Sequence, residues 1–226
     1  EQPYESSDNN LLSSLKALEV ARLNGAPLVY ASSSAVYGGL SVGDDRSDAV
    51  EVETPYALDK WVMEQYAKVA NSLFGTRSLG LRFFNVYGPR QDATSPYSGV
   101  IALFIRNLLD GNAITLNGGH QTRDFIFVKD VVSIMVRGMH SLKDESCHIV
   151  NVGSGCSVSI SGLLQQISQL IGVEPKVEMK DLPVGDPIAS AGDYTKLRTI
   201  LSVHTGELVK LEDGLRQTID YFRGRV

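Results

Sequence analysis

The chain has 226 residues, of which 43% are hydrophobic, 21% charged and 8% aromatic, a composition that excludes disordered, collagen-like and coiled-coil classes. Twenty-one Lys and Arg against 26 Asp and Glu give a net charge of −5. That balance argues against a nucleic-acid binder, whose phosphate contacts need a clustered basic excess. Cys147 and Cys156 cannot staple a fold of this size, and no Asn-x-Ser/Thr sequon is present. Glu1–Asn10 is acidic and polar, unlike a signal peptide, and the longest stretch without Asp, Glu, Lys or Arg, Ser146–Val173, is broken by polar residues. A cytoplasmic protein with no membrane segment is expected.

In chain order, Asp8–Asn24 reads as a helix, capped by Asp8, striped by Leu11, Leu12, Leu15 and Leu18, and stopped by Gly25. Pro27–Ser32 is a short buried strand. Asp44–Glu53 reads as a solvated acidic loop. Pro55 opens a second helix, Tyr56–Phe74, with Trp61, Tyr66, Val69 and Leu73 on one side. Leu79–Phe84 is a second strand, and strand, helix, strand with a crossover of this length predicts a βαβ unit with a parallel sheet.

After Gly88-Pro89-Arg90 the elements shorten. Val100–Leu109 is helical, Ala113–Leu116 and Asp124–Val128 are strands, and a helix begins at Asp130 with Val131, Ile134, Met135 and Met139 at helical spacing. Ile149–Val152 is a strand, Ser161–Ile171 a helix, and Leu211–Phe222 a closing helix. An α/β unit followed by a smaller substrate-capping part is predicted.

The chemistry concentrates in three segments. Tyr56 and Lys60 stand four residues apart on a helix, so the ammonium can lie beside the phenol or a shared ligand. A cation so placed favours the phenolate and suits a phenol to acid/base work. Ser32-Ser33-Ser34-Ala35-Val36-Tyr37-Gly38 ends the first strand, at the sheet edge where open α/β folds bind ligands. Arg82-Phe83-Phe84-Asn85-Val86-Tyr87-Gly88-Pro89-Arg90 brings polar groups to the same edge. His120, His140, His148 and His204 show no metal-ligand spacing, so no metal site is expected.

Together these segments resemble the extended short-chain dehydrogenase/reductase family, among its NAD-dependent nucleotide-sugar epimerases and dehydratases, and most closely its UDP-hexose 4-epimerases. The similarity continues through Pro96-Tyr97-Ser98-Gly99-Val100-Ile101, Gln121-Thr122-Arg123-Asp124-Phe125, Gly185-Asp186 and Leu211-Glu212-Asp213-Gly214-Leu215. It implies a partial Rossmann-type doubly wound parallel sheet, its first strands missing, with a smaller α/β substrate-binding domain. Residues 1–88 would hold the remaining cofactor side, with 124–155 returning to it, and 89–226 the nucleotide-sugar side.

The resemblance also implies roles. Tyr56 would take the proton of the sugar 4-hydroxyl, Lys60 would hold the nicotinamide ribose, and Ser33 would hydrogen-bond the reacting oxygen. Asn9, Ser32 and Phe83 would contact NAD along with Tyr56 and Lys60, while Ser34, Asn85, Arg123 and Ser190 would contact the UDP-sugar. The reaction implied is epimerisation at C4 through a 4-keto sugar, in a homodimer built on helices 8–24 and 56–74.

Some positions depart from the family pattern. Ser34 and Ala35 stand where 4,6-dehydratases carry an Asp-Glu pair, which argues against dehydration. Pro183 replaces a second arginine clamp on the diphosphate. A small residue at Ser190 leaves room for an acetamido group. No G-x-G-x-x-G or G-x-x-G-x-x-G occurs anywhere in the 226 residues, and Gly153-Ser154-Gly155 reads as a turn. The expectation is therefore of a chain short by its family's first quarter to third. The alternative is a truncated, inactive fragment acting only as a folded or dimerising domain.

Overall fold

The computed structural model describes residues 7–95, 98–143, 146–183 and 185–224; Glu1–Ser6 and the Pro96-Tyr97 of the fourth motif lie outside them. A π-helical turn, Asp8–Leu12, runs into helix α1 (Ser13–Leu23), then strand β1 (Leu28–Ser33), a 3-10 turn (Ser34–Tyr37) and helix α2 (Pro55–Phe74). Strands β2 (Ser78–Phe83) and β3 (Asn85–Tyr87) follow, separated by Phe84 alone. Next come helix α3 (Val100–Asp110), strands β4 (Ile114–Asn117) and β5 (Thr122–Phe127), helix α4 (Val128–Ser141), and strands β6 (Cys147–Val152) and β7 (Ser157–Ser159). The chain continues through helix α5 (Ile160–Ile171), strands β8 (Val177–Lys180) and β9 (Ala189–Ser190), and helices α6 (Thr195–Leu201) and α7 (Leu211–Phe222).

The predicted parallel sheet is present, in the order β1-β2-β6. Leu28 to Ser33 pairs in register with Ser78 to Phe83, which pairs on its other side with Cys147 to Val152. Buried Leu79, Leu81, Val150 and Val152 make this sheet the floor of one core, covered by Val131 and Ile134 of α4 and Leu197 and Leu201 of α6. A second sheet joins β3, β5 and β7, with β9 also on β5. The core beneath it gathers Tyr87, Phe104, Ile105, Phe127, Leu163, Ile167, Leu215 and Ile219. Strands β4 and β8 form a separate parallel pair.

Local chemistry explains the helix ends. The Thr54 hydroxyl accepts the Ala57 amide at 3.1 Å and Pro55 takes the first helical position, so α2 starts where it does. Gly75 stops it at φ 64°, its amide bonded to the Asn71 carbonyl at 2.8 Å. Asp8, by contrast, lies inside the π-helical turn, and among the described residues neither that turn nor α1 starts with a side-chain cap.

The apolar stripe of α2 lies on its outer side: Tyr66, Val69 and Leu73 face outward, Leu73 at 67% exposure, while the helix buries Ala57, Asp59, Met63, Glu64, Ala67 and Ala70. Met139 on α4 is also exposed. One further expectation is corrected: in the loop expected to be solvated, Asp45 is buried, with Oδ2 accepting the Asn151 backbone amide at 2.6 Å. Strands β3, β7, β8 and β9 and helix α6 were not anticipated.

Candidate active site

Strand β1 delivers Ser32 and Ser33 to the carboxyl end of the parallel sheet, where β2 delivers Phe83. The Ser33 hydroxyl accepts the Ala35 amide at 3.1 Å, capping the 3-10 turn that follows. Ser33, Ser34, Phe83, Asn85, Arg123 and Ser190 all line one cavity of about 260 Å³. These six expected residues come from six elements and from positions 33 to 190, and the fold assembles them around one space.

Tyr56 and Lys60 stand beside this cavity and are not part of its lining, which instead includes Glu53 and Thr54 just before them. Tyr56 is 41% exposed. Lys60 Nζ donates to the Ala31 carbonyl of β1 at 3.0 Å and lies 5.5 Å from the Tyr56 ring centre. Burial of the ammonium holds the Lys60 pKa below its ordinary value of 10.5, with the Asp59 charge opposing that shift.

A second cavity of about 470 Å³ adjoins the first and shares Asn85 and Arg123 with it, continuing to Phe104, Asn107, Asn117 and Gln121. Asn85 Nδ2 is anchored to the Asp124 carbonyl at 3.0 Å. The Arg123 guanidinium hydrogen-bonds Asp186 and donates to the Thr122 carbonyl at 2.9 Å. A guanidinium between two polar cavities, paired with a partly exposed carboxylate, suits a charged linker that spans both. Asn117 and Gln121 supply hydrogen-bonding groups beyond it.

Two of the expected residues lie elsewhere. Asn9 is exposed in the π-helical turn, where its carbonyl accepts the Ser13 hydroxyl, and lines neither cavity. Ser32 is 3% exposed and its hydroxyl is committed to Glu64 Oε1. Gly153-Ser154-Gly155 forms a turn whose amides close on Asp124: Ser154 N donates at 2.7 Å and Gly155 N at 2.9 Å.

Sequence reasoning missed a buried polar chain beneath the site. Glu64 receives Arg82 through two bonds, Nε to Oε1 at 2.8 Å and the terminal nitrogen to Oε2 at 2.6 Å. Another Arg82 nitrogen donates to the Tyr37 hydroxyl at 2.8 Å, and that hydroxyl donates to Asn151 Oδ1 at 2.7 Å. The one available signal was a lone Arg inside the otherwise apolar strand segment Ser78-Leu-Gly-Leu-Arg-Phe83.

Comparison with known proteins shows the family and the fold. Residues 1–153 match the sequence profile of the NAD dependent epimerase/dehydratase family. A UDP-glucose 4-epimerase of Mycolicibacterium smegmatis is 32% identical over 220 residues, covering 96% of this chain and 69% of that protein. The UDP-N-acetylglucosamine 4-epimerase of Methanobrevibacter ruminantium, solved in complex with UDP-N-acetylmuramic acid, superposes with a TM-score of 0.92 at 33% identity, covering 100% of this chain and 72% of that one. The Thermus thermophilus UDP-glucose 4-epimerase in complex with NAD gives 0.81 at 32% identity, covering 96% and 70%. The profile and the shared fold lead to one conclusion: this chain belongs to the NAD dependent epimerase/dehydratase family.

Proposed function

We propose that the chain acts on a UDP-hexose, interconverting epimers at C4 by transient oxidation to the 4-keto sugar. The observation that carries this reading is the setting of Lys60: its ammonium is held on the Ala31 carbonyl, next to the Tyr56 ring and beside the cavity lined by Ser33, Ser34 and Ser190.

The residues fit one end of a nicotinamide dinucleotide. Among the described residues Lys60 uses one N–H on Ala31, leaving two that suit ribose hydroxyls at the end of β1. Phe83 offers an apolar wall there. The pyrophosphate end needs a strand, glycine loop and helix, and no such glycine pattern occurs in these 226 residues. When bound, NAD would supply the hydride acceptor and donor at the sugar C4. Tyr56 takes the 4-hydroxyl proton and later returns it. Lys60 sets a positive charge beside that phenol, and Ser33 donates a hydrogen bond to the same sugar oxygen. Arg123 and Asn85 hold the diphosphate between the two cavities. The small Ser190 leaves room for both plain and N-acetylated hexoses.

The proposal includes a homodimer through α1 and α2, supported by their outward Val20, Leu23, Val69, Leu73 and Phe74. It also takes residues 1–88 with β6 as the cofactor side and the second sheet with its helices as the sugar side. Incubating the purified chain with NAD and UDP-galactose, and following UDP-glucose by chromatography, tests the reaction. Product formed is the expected result. Neither turnover nor bound nicotinamide at high NAD would leave the alternative, a non-catalytic folded or dimerising unit.

A further inference from the structure

Helix α2 carries both Tyr56 and Lys60, so its rotation about its own axis sets where the acid/base pair stands. Yet the face it lays on the sheet is nearly smooth. Ala57, Met63, Ala67 and Ala70 are buried there, and three alanines offer few knobs to resist turning. Two groups on that face grip the strands directionally: Lys60, through the Ala31 carbonyl, and one turn beyond it Glu64, which is wholly buried and bonds both strands.

Glu64 reaches both neighbouring strands. Its Oε1 accepts the hydroxyl of Ser32, the residue before Ser33 on β1. Both carboxylate oxygens accept Arg82, the residue before Phe83 on β2. Arg82 is fixed in turn, donating to the Tyr37 hydroxyl and lying over that ring at 4.8 Å. Tyr37 ends the 3-10 turn that Ser33 caps. One carboxylate thus ties together the three segments that carry Tyr56 with Lys60, Ser33, and Phe83.

Stability is a weak account of such a pair, because a buried ion pair is often replaced by apolar side chains of similar volume without loss. Fixed geometry is the stronger account, since two parallel charge-assisted bonds define a direction as well as an attraction. We infer that Glu64 is a positioning residue, which through Arg82 and Ser32 locks the rotation of α2 and so places Tyr56 and Lys60 against Ser33. For its kinetic consequence the inference rests on the proposed reaction; for its structural consequence it does not.

The structural consequence is read on Lys60. In full-length protein carrying ε-13C-lysine, with the Lys60 resonance assigned from Lys60→Arg, the Lys60 pKa is measured in the wild type and in Glu64→Gln. Removing a carboxylate would lower an amine's pKa by direct electrostatics. A loosened helix that admits more water to the half-buried ammonium raises it toward 10.5, so the sign separates the two effects. The expected result is a rise, with kcat on UDP-galactose falling about 10- to 100-fold and KM changing less than about 3-fold. A folded Glu64→Gln whose Lys60 titrates unchanged or lower overturns the inference.

If Glu64→Gln fails to fold, the double variant Glu64→Leu with Arg82→Met carries the same reading with the same two outcomes. Collapse of both overturns the inference, because the pair would then be a requirement for folding itself. A wild type that turns over no UDP-sugar counts against the proposed function alone, since the titration needs neither substrate nor cofactor.

Discussion

The Tyr194 hydroxyl donates to Asp124 Oδ2 at 2.6 Å, tying the residue that caps α6 to the strand that carries Arg123. Asp124 also accepts the Ser154 amide and hydroxyl and the Gly155 amide, so all of its capacity points at donors. Burial and the Asp124 charge push the Tyr194 pKa well up, which keeps this phenol a donor across the working range. In Asp124→Asn an amide N–H₂ would face two of those donors. Urea denaturation should show a loss of about 3 kcal/mol, against about 1 kcal/mol for Tyr194→Phe. Equal losses would show that the carboxylate is not the centre of this cluster.

Tyr56→Phe tests the acid/base assignment. Turnover of UDP-galactose should fall about 1,000-fold, the scale of lost acid/base catalysis. Stability should move by less than about 0.5 kcal/mol, because Tyr56 is an exposed residue. Retained turnover in a folded variant would remove Tyr56 from the reaction.

Alkali should unfold the protein in a defined window. Burial raises the Tyr37 pKa from 10.0 to about 12, with Arg82 opposing the shift. The unfolded chain therefore releases this proton first, near pH 10, and the folded state keeps it until about 12. The stabilisation is complete below pH 10 and is lost as the pH rises through 12, a change of about 2–3 kcal/mol. Tyr37→Phe should flatten the fall in stability between pH 10 and 12 by that amount. Tyr30, Tyr87 and Tyr194 are also raised by burial, so the fall should shrink in the variant without vanishing.

Sedimentation velocity tests the proposed dimer. Val69→Glu together with Leu73→Glu places two charges on the outward face of α2, where both residues are already solvent-accessible. The folded monomer should tolerate them and the dimer should not. A sedimentation coefficient unchanged from wild type would place any self-association elsewhere.

Ser190→Tyr fills the cavity beside Arg123, with which Ser190 pairs in register. Activity on a UDP-N-acetylhexosamine should fall at least about 10-fold while UDP-galactose is spared, the discrimination a few atoms of pocket volume supply. Equal loss on both sugars would show that this position does not sort them.

Elements with one strong period were legible in the sequence: α7 begins and ends where its apolar spacing predicts, at Leu211 and Phe222. Short polar strands were not, because Ser157–Ser159 and Ala189–Ser190 become strands only through pairing with β5. The periodicity of α2 gave a helix and an apolar stripe, but not which side meets the sheet. Small residues win the sheet side by allowing close approach, and a hydrophobicity pattern ranks Leu73 above Ala67. For the site, the spacing of Tyr56 and Lys60 and the cluster of serines were readable locally. The Glu64–Arg82–Tyr37–Asn151 chain was not, since its partners stand 18 to 114 residues apart and meet only in three dimensions. Its charges look like ordinary surface residues until the helix is docked.

Phe84 alone joins β2 to β3, its amide bonded to the Val152 carbonyl at 3.0 Å and its ring edge-on to Tyr194 at 5.6 Å. The chain therefore changes sheets within one residue, and the two side chains flanking that step, Phe83 and Asn85, both face the cavity. Segment length is frozen at this crossing. One inserted residue would flip Asn85 to the opposite side of the pleat and off the Asp124 carbonyl. An effort to retune sugar choice by varying segment length has no freedom at 84.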